Sequence, residues 1–250
     1  MARKGRVRLL RLREELLRAH PSITDPDAAI ARGAVVVNGR AVSNPSSLVR
    51  EGAAIALRMN TPLRGEAKLR AGLAAFAVEV HGRAALDVGA AAGGFTRVLL
   101  DAGARRVYAV DAGHGQLLGS LRQDMRVVVL ERVNLGELNA ELVPEPVDVV
   151  TLDLSYLALT HAVPQLEAVR LAPDADAIAL VKPQFELGLA APPVDEARLL
   201  LSASRAADAF ARCGWTVEGT IESPVRGRGG ARELLVHARR VRSGRCSGPS

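Results

Sequence analysis

The sequence predicts an α/β fold: a Rossmann-like, doubly wound, mostly parallel sheet with an antiparallel end, preceded by a small α+β module. Three observations predict it. From Arg83 onward, short apolar runs alternate with stretches of helical period, the pattern of a sheet covered by helices on both faces. A glycine-rich turn, Gly89-Ala90-Ala91-Ala92-Gly93-Gly94, follows the first of these runs and opens a helix. The charge is uneven. Residues 1–64 hold 12 basic and 5 acidic side chains, while the formal net charge of the whole chain is +6, so the remainder is close to neutral.

The elements follow in order. Leu9, Leu12 and Leu16 share one face between Val7 and Ala19, with Arg8, Arg11 and Arg18 among them, which predicts a basic amphipathic helix. Asp25-Pro26-Asp27 is a helix start and Gly33 a stop. Residues 34–37 and 40–42 flank Asn38-Gly39, a hairpin turn pair, and a further strand spans Ala54–Leu57. Residues 1–57 thus form a basic module, and 58–64 read as a linker. The domain at 65–240 begins with a helix from Gly65 to Phe76 carrying Leu69, Leu73 and Phe76 on one side. Strands are predicted at 84–88, 106–111, 127–131, 147–152, 177–181, 216–223 and 233–238. Helices are predicted at 94–102, 117–122, 159–171 and 195–213. The last two strands have no helix between them and so should pair antiparallel. The polar end, 241–250, reads as a disordered tail.

No apolar run of transmembrane length appears, and the basic N-terminus has no apolar segment behind it, so neither a membrane span nor a secretory signal is expected. Cys213 and Cys246 are far apart, with no partner at metal spacing. They predict neither a disulfide framework nor a metal site, and a reducing, cytoplasmic setting. A basic first quarter suggests docking to a polyanion.

The ligand signal lies in Leu86-Asp87-Val88-Gly89-Ala90-Ala91-Ala92-Gly93-Gly94-Phe95. Its glycine spacing differs from that of dinucleotide binders. Asp87, at the strand end, suits a cationic ligand. Asp111 ends the next strand, 24 residues on, where a carboxylate accepts ribose hydroxyls. Asn134, past the third strand, could read an adenine edge. Only three lysines occur, Lys4, Lys68 and Lys182, in a chain whose other cations are arginine. An ammonium at 68 and 182 asks for a role that guanidinium cannot fill. Trp215 reads as core, and His114, Arg226 and Arg228 as loop side chains.

With those residues in view, the chain resembles the TlyA family of ribosomal RNA ribose 2′-O-methyltransferases, also called haemolysins. The matching stretches are Arg64-Gly65-x-x-Lys68-Leu69, Leu86-Asp87-Val88-Gly89-Ala90-x-x-Gly93-Gly94-Phe95-Thr96, Val110-Asp111-x-Gly113-x-Gly115-Gln116-Leu117, Arg126–Arg132, Asp153-Leu154-Ser155 and Leu180–Glu186, with Ser223-Pro224 and Glu233 near the end. The resemblance implies S-adenosyl-L-methionine as methyl donor, held by Asp87, Gly89, Gly93, Gly94, Phe95, Asp111, Asn134 and Asp153. It implies a catalytic set of Lys68, Asp153, Lys182 and Glu233, no metal, and ribosomal RNA or ribosomal subunits, at cytidine, as partner. It also implies that the N-terminal module is an RNA-binding one. Thr24-Asp25-Pro26, the linker and the short uncharged loop 187–193 depart from the family pattern. They leave open a diverged relative acting on a small-molecule acceptor. A non-catalytic RNA-binding or membrane-lytic protein is the reading the intact catalytic set disfavours.

Overall fold

The computed structural model describes residues 8–31, 33–42, 44–57 and 63–241. The chain divides into two compact units, Met1–Thr61 and Pro62–Ser250. Residues 58–62 of the expected linker and 242–250 of the expected tail lie outside the described residues.

The first unit contains β1 (Leu9–Arg11), α1 (Leu12–Ala19), α2 (Pro26–Ala31), β2 (Val35–Val37), β3 (Arg40–Val42), β4 (Leu48–Arg50) and β5 (Ile55–Leu57). Its first helix is shorter than the leucine spacing suggests. Leu9–Arg11 pairs antiparallel with β4, a strand the sequence reading missed, because a three-residue pairing leaves no periodicity to detect. The Asp25 carboxylate accepts the Ala28 N–H at 2.9 Å and caps α2. Asn38 (φ +49°) and Gly39 (φ +82°) make the turn between β2 and β3. Leu12, Leu16, Ile30, Val35 and Val49 form this unit's own core.

The second unit contains α3 (Arg64–Phe76), β6 (Ala84–Val88), α4 (Gly94–Asp101), β7 (Arg106–Asp111), α5 (Gly119–Arg122), β8 (Val127–Glu131), β9 (Val147–Leu152), α6 (Leu159–Ala162), β10 (Leu171–Val181), α7 (Pro183–Glu186), α8 (Glu196–Arg212), β11 (Trp215–Glu222) and β12 (Leu234–Arg240). The strands form one sheet in the order β11-β12-β10-β9-β6-β7-β8. The run from β10 to β8 is parallel, and β12 is antiparallel to both β10 and β11. Every residue of β6 is buried, because helices cover both faces. Leu86 and Val88 face a core shared with Leu159, Leu166 and Phe210, while Ala85 faces one shared with Leu69, Phe95 and Leu99.

One expectation needs correction. The helix expected over 159–171 is one turn, α6, followed by a 3-10 stretch Val163–Ala168, and Leu171 already lies in β10. Pro164 has no N–H to continue the α-helical ladder, and the apolar residues that suggested a helix bury themselves in short turns instead. Cys213 is buried in the core of the second unit. Trp215 is buried and meets Phe210 edge-on at 5.9 Å, as core.

Candidate active site

The sheet order reverses direction between β6 and β9. The carboxyl ends of β6, β7, β9 and β10 meet there and open onto a cleft of about 570 Å³. A crevice at such a switch point is where open α/β sheets bind ligands, because backbone N–H groups of successive loops converge there.

Local backbone geometry shapes the floor. Gly89 has φ +87°, and a Cβ there would sit 2.5 Å from the Asp153 carbonyl oxygen. Only glycine lets the ends of β6 and β9 approach this closely. Ala91, at φ +45°, turns its N–H onto Asp111 Oδ2 at 2.8 Å, and the Gly113 N–H donates to Oδ1 at 2.6 Å. Two backbone donors thus fix the Asp111 carboxylate at the cleft wall. Behind that wall, Glu131 accepts from the N–H groups of Gly115 and Gln116 at 2.8 and 3.2 Å and pairs with Arg122 and His114. The Arg122 guanidinium, with the Gly115 N–H next, lowers the Glu131 carboxyl to about 2, so it remains an anion that holds the loop.

Four titratable groups line the same cleft in two pairs. Lys182 Nζ lies 2.7 Å from Asp153 Oδ1 and donates to Ser155 Oγ at 3.2 Å. Lys68 Nζ lies 2.6 Å from Glu233 Oε2, with both side chains under a tenth exposed. Asp153 and Lys182 follow the parallel neighbours β9 and β10, which is why residues 29 apart in sequence touch. Glu233 precedes β12, antiparallel to β10, and Gly227 makes room for it: a Cβ at 227 would meet Glu233 Oε1 at 2.2 Å. Arg64 closes this side by donating to the carbonyls of Arg226 and Gly227 at 2.8 and 3.3 Å. The Arg226 side chain is exposed and lies 3.8 Å from Glu222.

Lys68, Gly89, Asp111, Asp153, Lys182 and Glu233 therefore face one cleft. The other sequence candidates do not line it. Asp87 is fully buried, taking hydrogen bonds from Thr96 Oγ1 at 2.6 Å and Thr151 Oγ1 at 2.9 Å. Burial, the largest influence, pushes its carboxyl up to about 6 against the two threonine hydrogen bonds. Gly93 (φ +94°) starts α4, and a Cβ there would collide with Leu121 and Leu117. Gly94 packs against Gly65, and Phe95 is buried in the core. Asn134 is exposed and its amide donates to Glu137 at 2.9 Å, capping a 3-10 turn. The sequence reading assigned no role to Ser155, Tyr156, Arg64 or Glu131. Arg64, Ser155 and Glu131 stand inside matching stretches, but motif membership alone does not show what a side chain touches.

Residues 62–240 match the family model described as FtsJ-like methyltransferase. The chain is 38% identical to the 16S/23S rRNA (cytidine-2′-O)-methyltransferase TlyA of Mycobacterium tuberculosis, over 96% of this chain and 91% of that protein. The chain belongs to the TlyA family of FtsJ-like methyltransferases. Two solved structures agree with TlyA membership. A protein described as a hemolysin from Lactococcus lactis superposes with TM-score 0.68 at 33% identity, covering 74% of this chain and 90% of that one. Another, from Streptococcus thermophilus, gives 0.66 at 30% identity, covering 97% and 92%. The protein is thus a methyltransferase, and the methyl donor of the TlyA family is S-adenosylmethionine. The cleft fits that group. Its volume is in the range of small-ligand sites, its Gly89 floor permits close backbone approach, and Asp111 and Asp153 present carboxylates to a cationic ligand. Among the described residues no cluster could hold a metal ion and no helix is long and apolar enough to cross a membrane.

Proposed function

We propose that this methyltransferase modifies the ribose 2′-hydroxyl of a nucleotide, a cytidine, in ribosomal RNA. The observation that carries the reading is the Lys182 ammonium, held by Asp153 and Ser155 at the mouth of a glycine-floored cleft. An ammonium has three N–H donors. Asp153 and Ser155 engage two, and the third meets the acceptor oxygen. There it stabilises the negative charge that develops as the hydroxyl proton passes to water at the open cleft and the oxygen takes the methyl group from the sulfonium, whose sulfur leaves with the bonding electron pair. Bound S-adenosylmethionine supplies an electrophilic methyl group. Asp111 and the backbone around Gly89 hold the donor, and Asp153 sets the direction of the Lys182 side chain. Lys68 and Glu233 form the opposite wall, where they position the ribose and its phosphate. Holding acceptor and donor in line is worth roughly 7–11 kcal/mol in favourable cases.

The ribosomal target follows the M. tuberculosis relative and agrees with the exposed Arg8, Arg11, Arg13, Arg18 and Arg50 of the first unit, which suit a phosphate backbone. Residues 1–57 then act as the RNA-docking module and 65–240 as the transferase domain. A ribosomal partner places the protein in the cytoplasm. The deciding experiment incubates the protein with labelled donor, ribosomal subunits and free RNA, then maps methylated nucleotides by mass spectrometry. Methylation at a cytidine 2′-oxygen is expected. Label appearing only in a low-molecular-weight acceptor would replace the ribosomal reading.

A further inference from the structure

Glu186 is 5% exposed, ends α7 and takes no part in the chemistry above. One carboxylate oxygen accepts a short hydrogen bond from the Leu159 N–H, and the other lies 3.4 Å from the Thr160 N–H. Leu159 begins α6, directly after the loop that carries Asp153 and Ser155. Lys182, Asp153's partner, immediately precedes α7, and its carbonyl accepts the Phe185 and Glu186 N–H groups at 2.9 and 3.2 Å. The Glu186 backbone carbonyl accepts from Arg205 Nη1 of α8 at 3.0 Å. One buried carboxylate therefore joins the loop after β9 to the loop after β10, and α8 holds it from behind.

We infer that Glu186 is a positioning residue: it fixes the spacing of the Lys182 ammonium and Asp153 by tying their two loops together, and touches no reactant. Burying a carboxylate is costly, and an apolar side chain would pack there more cheaply. Only a group with two acceptor oxygens takes both N–H donors. Glutamine keeps the size but offers an NH₂ to one of them, which pushes that loop away. Displacement of about 1 Å between reacting groups can cost roughly a hundredfold in rate.

The inference rests on the catalytic role of Lys182 but not on the identity of the acceptor, and its test has one arm without RNA. The chain has only three lysines, so ¹⁵N-lysine labelling gives few Nζ resonances to assign, with Lys182→Arg and Lys68→Arg marking two of them. In Glu186→Gln the Lys182 resonance is expected to shift and exchange faster with solvent, while that of Lys68 stays in place. An unmoved Lys182 resonance overturns the proposal. In the second arm, kcat of Glu186→Gln falls about tenfold or more, with KM for RNA and donor Kd within about twofold of wild type. Arg205→Ala lowers kcat less, and the double variant is no worse than Glu186→Gln alone, as expected for one shared device. Wild-type kcat, or a loss that follows only the fraction folded, overturns it. Wild-type protein inactive on ribosomal RNA would count against the acceptor, while the resonance arm would still decide the clamp.

Discussion

Lys182 and Lys68 are both paired ammonium groups, yet their surroundings ask for different experiments. Lys182 sits in the cleft with a donor to spare, so Lys182→Ala should abolish methylation, a loss of about 10²–10⁴-fold, while calorimetric donor affinity is largely retained. Near-normal turnover in that variant would remove it from the chemistry. Lys68 and Glu233 exclude water from one another. Truncating either alone strands a buried charge and should cost about 3–5 kcal/mol of stability in urea unfolding. The paired replacement Lys68→Met with Glu233→Gln should recover most of that stability without recovering activity. If it recovers both, the pair is scaffolding. Asp87 gives a pH signature. Its folded value of about 6 exceeds the ordinary 3.8, so the fold favours the protonated form. That contribution is fully present below pH 3.8 and disappears as pH rises through about 6. Wild type should lose about 3 kcal/mol relative to Asp87→Asn between pH 4 and pH 8, and parallel stability curves would contradict the burial argument.

At the scale of elements, Gly89 and Gly93, the two positive-φ glycines of the turn after β6, separate by what blocks a side chain. At Gly89 the obstacle is backbone, the Asp153 carbonyl, which cannot rotate away; at Gly93 it is the tips of two leucines. Gly89→Ala should therefore weaken donor binding and slow transfer together, whereas Gly93→Ala should mainly lower the melting temperature. Equal effects on calorimetric affinity would show that the floor of the cleft is not set at Gly89. The same contrast governs what was legible. The strands at 84–88, 106–111, 127–131 and 147–152 have the expected bounds, because each is a continuous apolar run bounded by turns, including the half-buried edge strand 127–131. The segment 159–171 was misread because apolar residues in short turns have no period of their own. Asn134 looked like a ligand-facing residue from its distance past β8, but its amide is engaged by Glu137 three residues on. A local side-chain bond of that kind competes invisibly with a functional role.

At the scale of the molecule, each unit has its own core, so the piece 62–240 should fold and bind donor with the affinity of the whole chain. Its methylation of ribosomal subunits should show a raised KM, and its RNA affinity a shallower dependence on salt, since the basic residues of the first unit are gone. An unchanged salt slope would deny the first unit its RNA role. What the sequence determined by itself was whatever repeats or borders: the alternation that makes a parallel sheet, the glycines that let backbones meet, the lysines scarce enough to be noticed. Tertiary structure alone decided which of those groups share a cleft. Lys68 and Glu233 are 165 residues apart and Glu186 reaches Leu159 across 27, because strand order, not chain order, sets their neighbours. It also placed Asp87 behind the cleft instead of in it. A strand alternates its side chains between faces, and only the packed sheet shows which face each one meets.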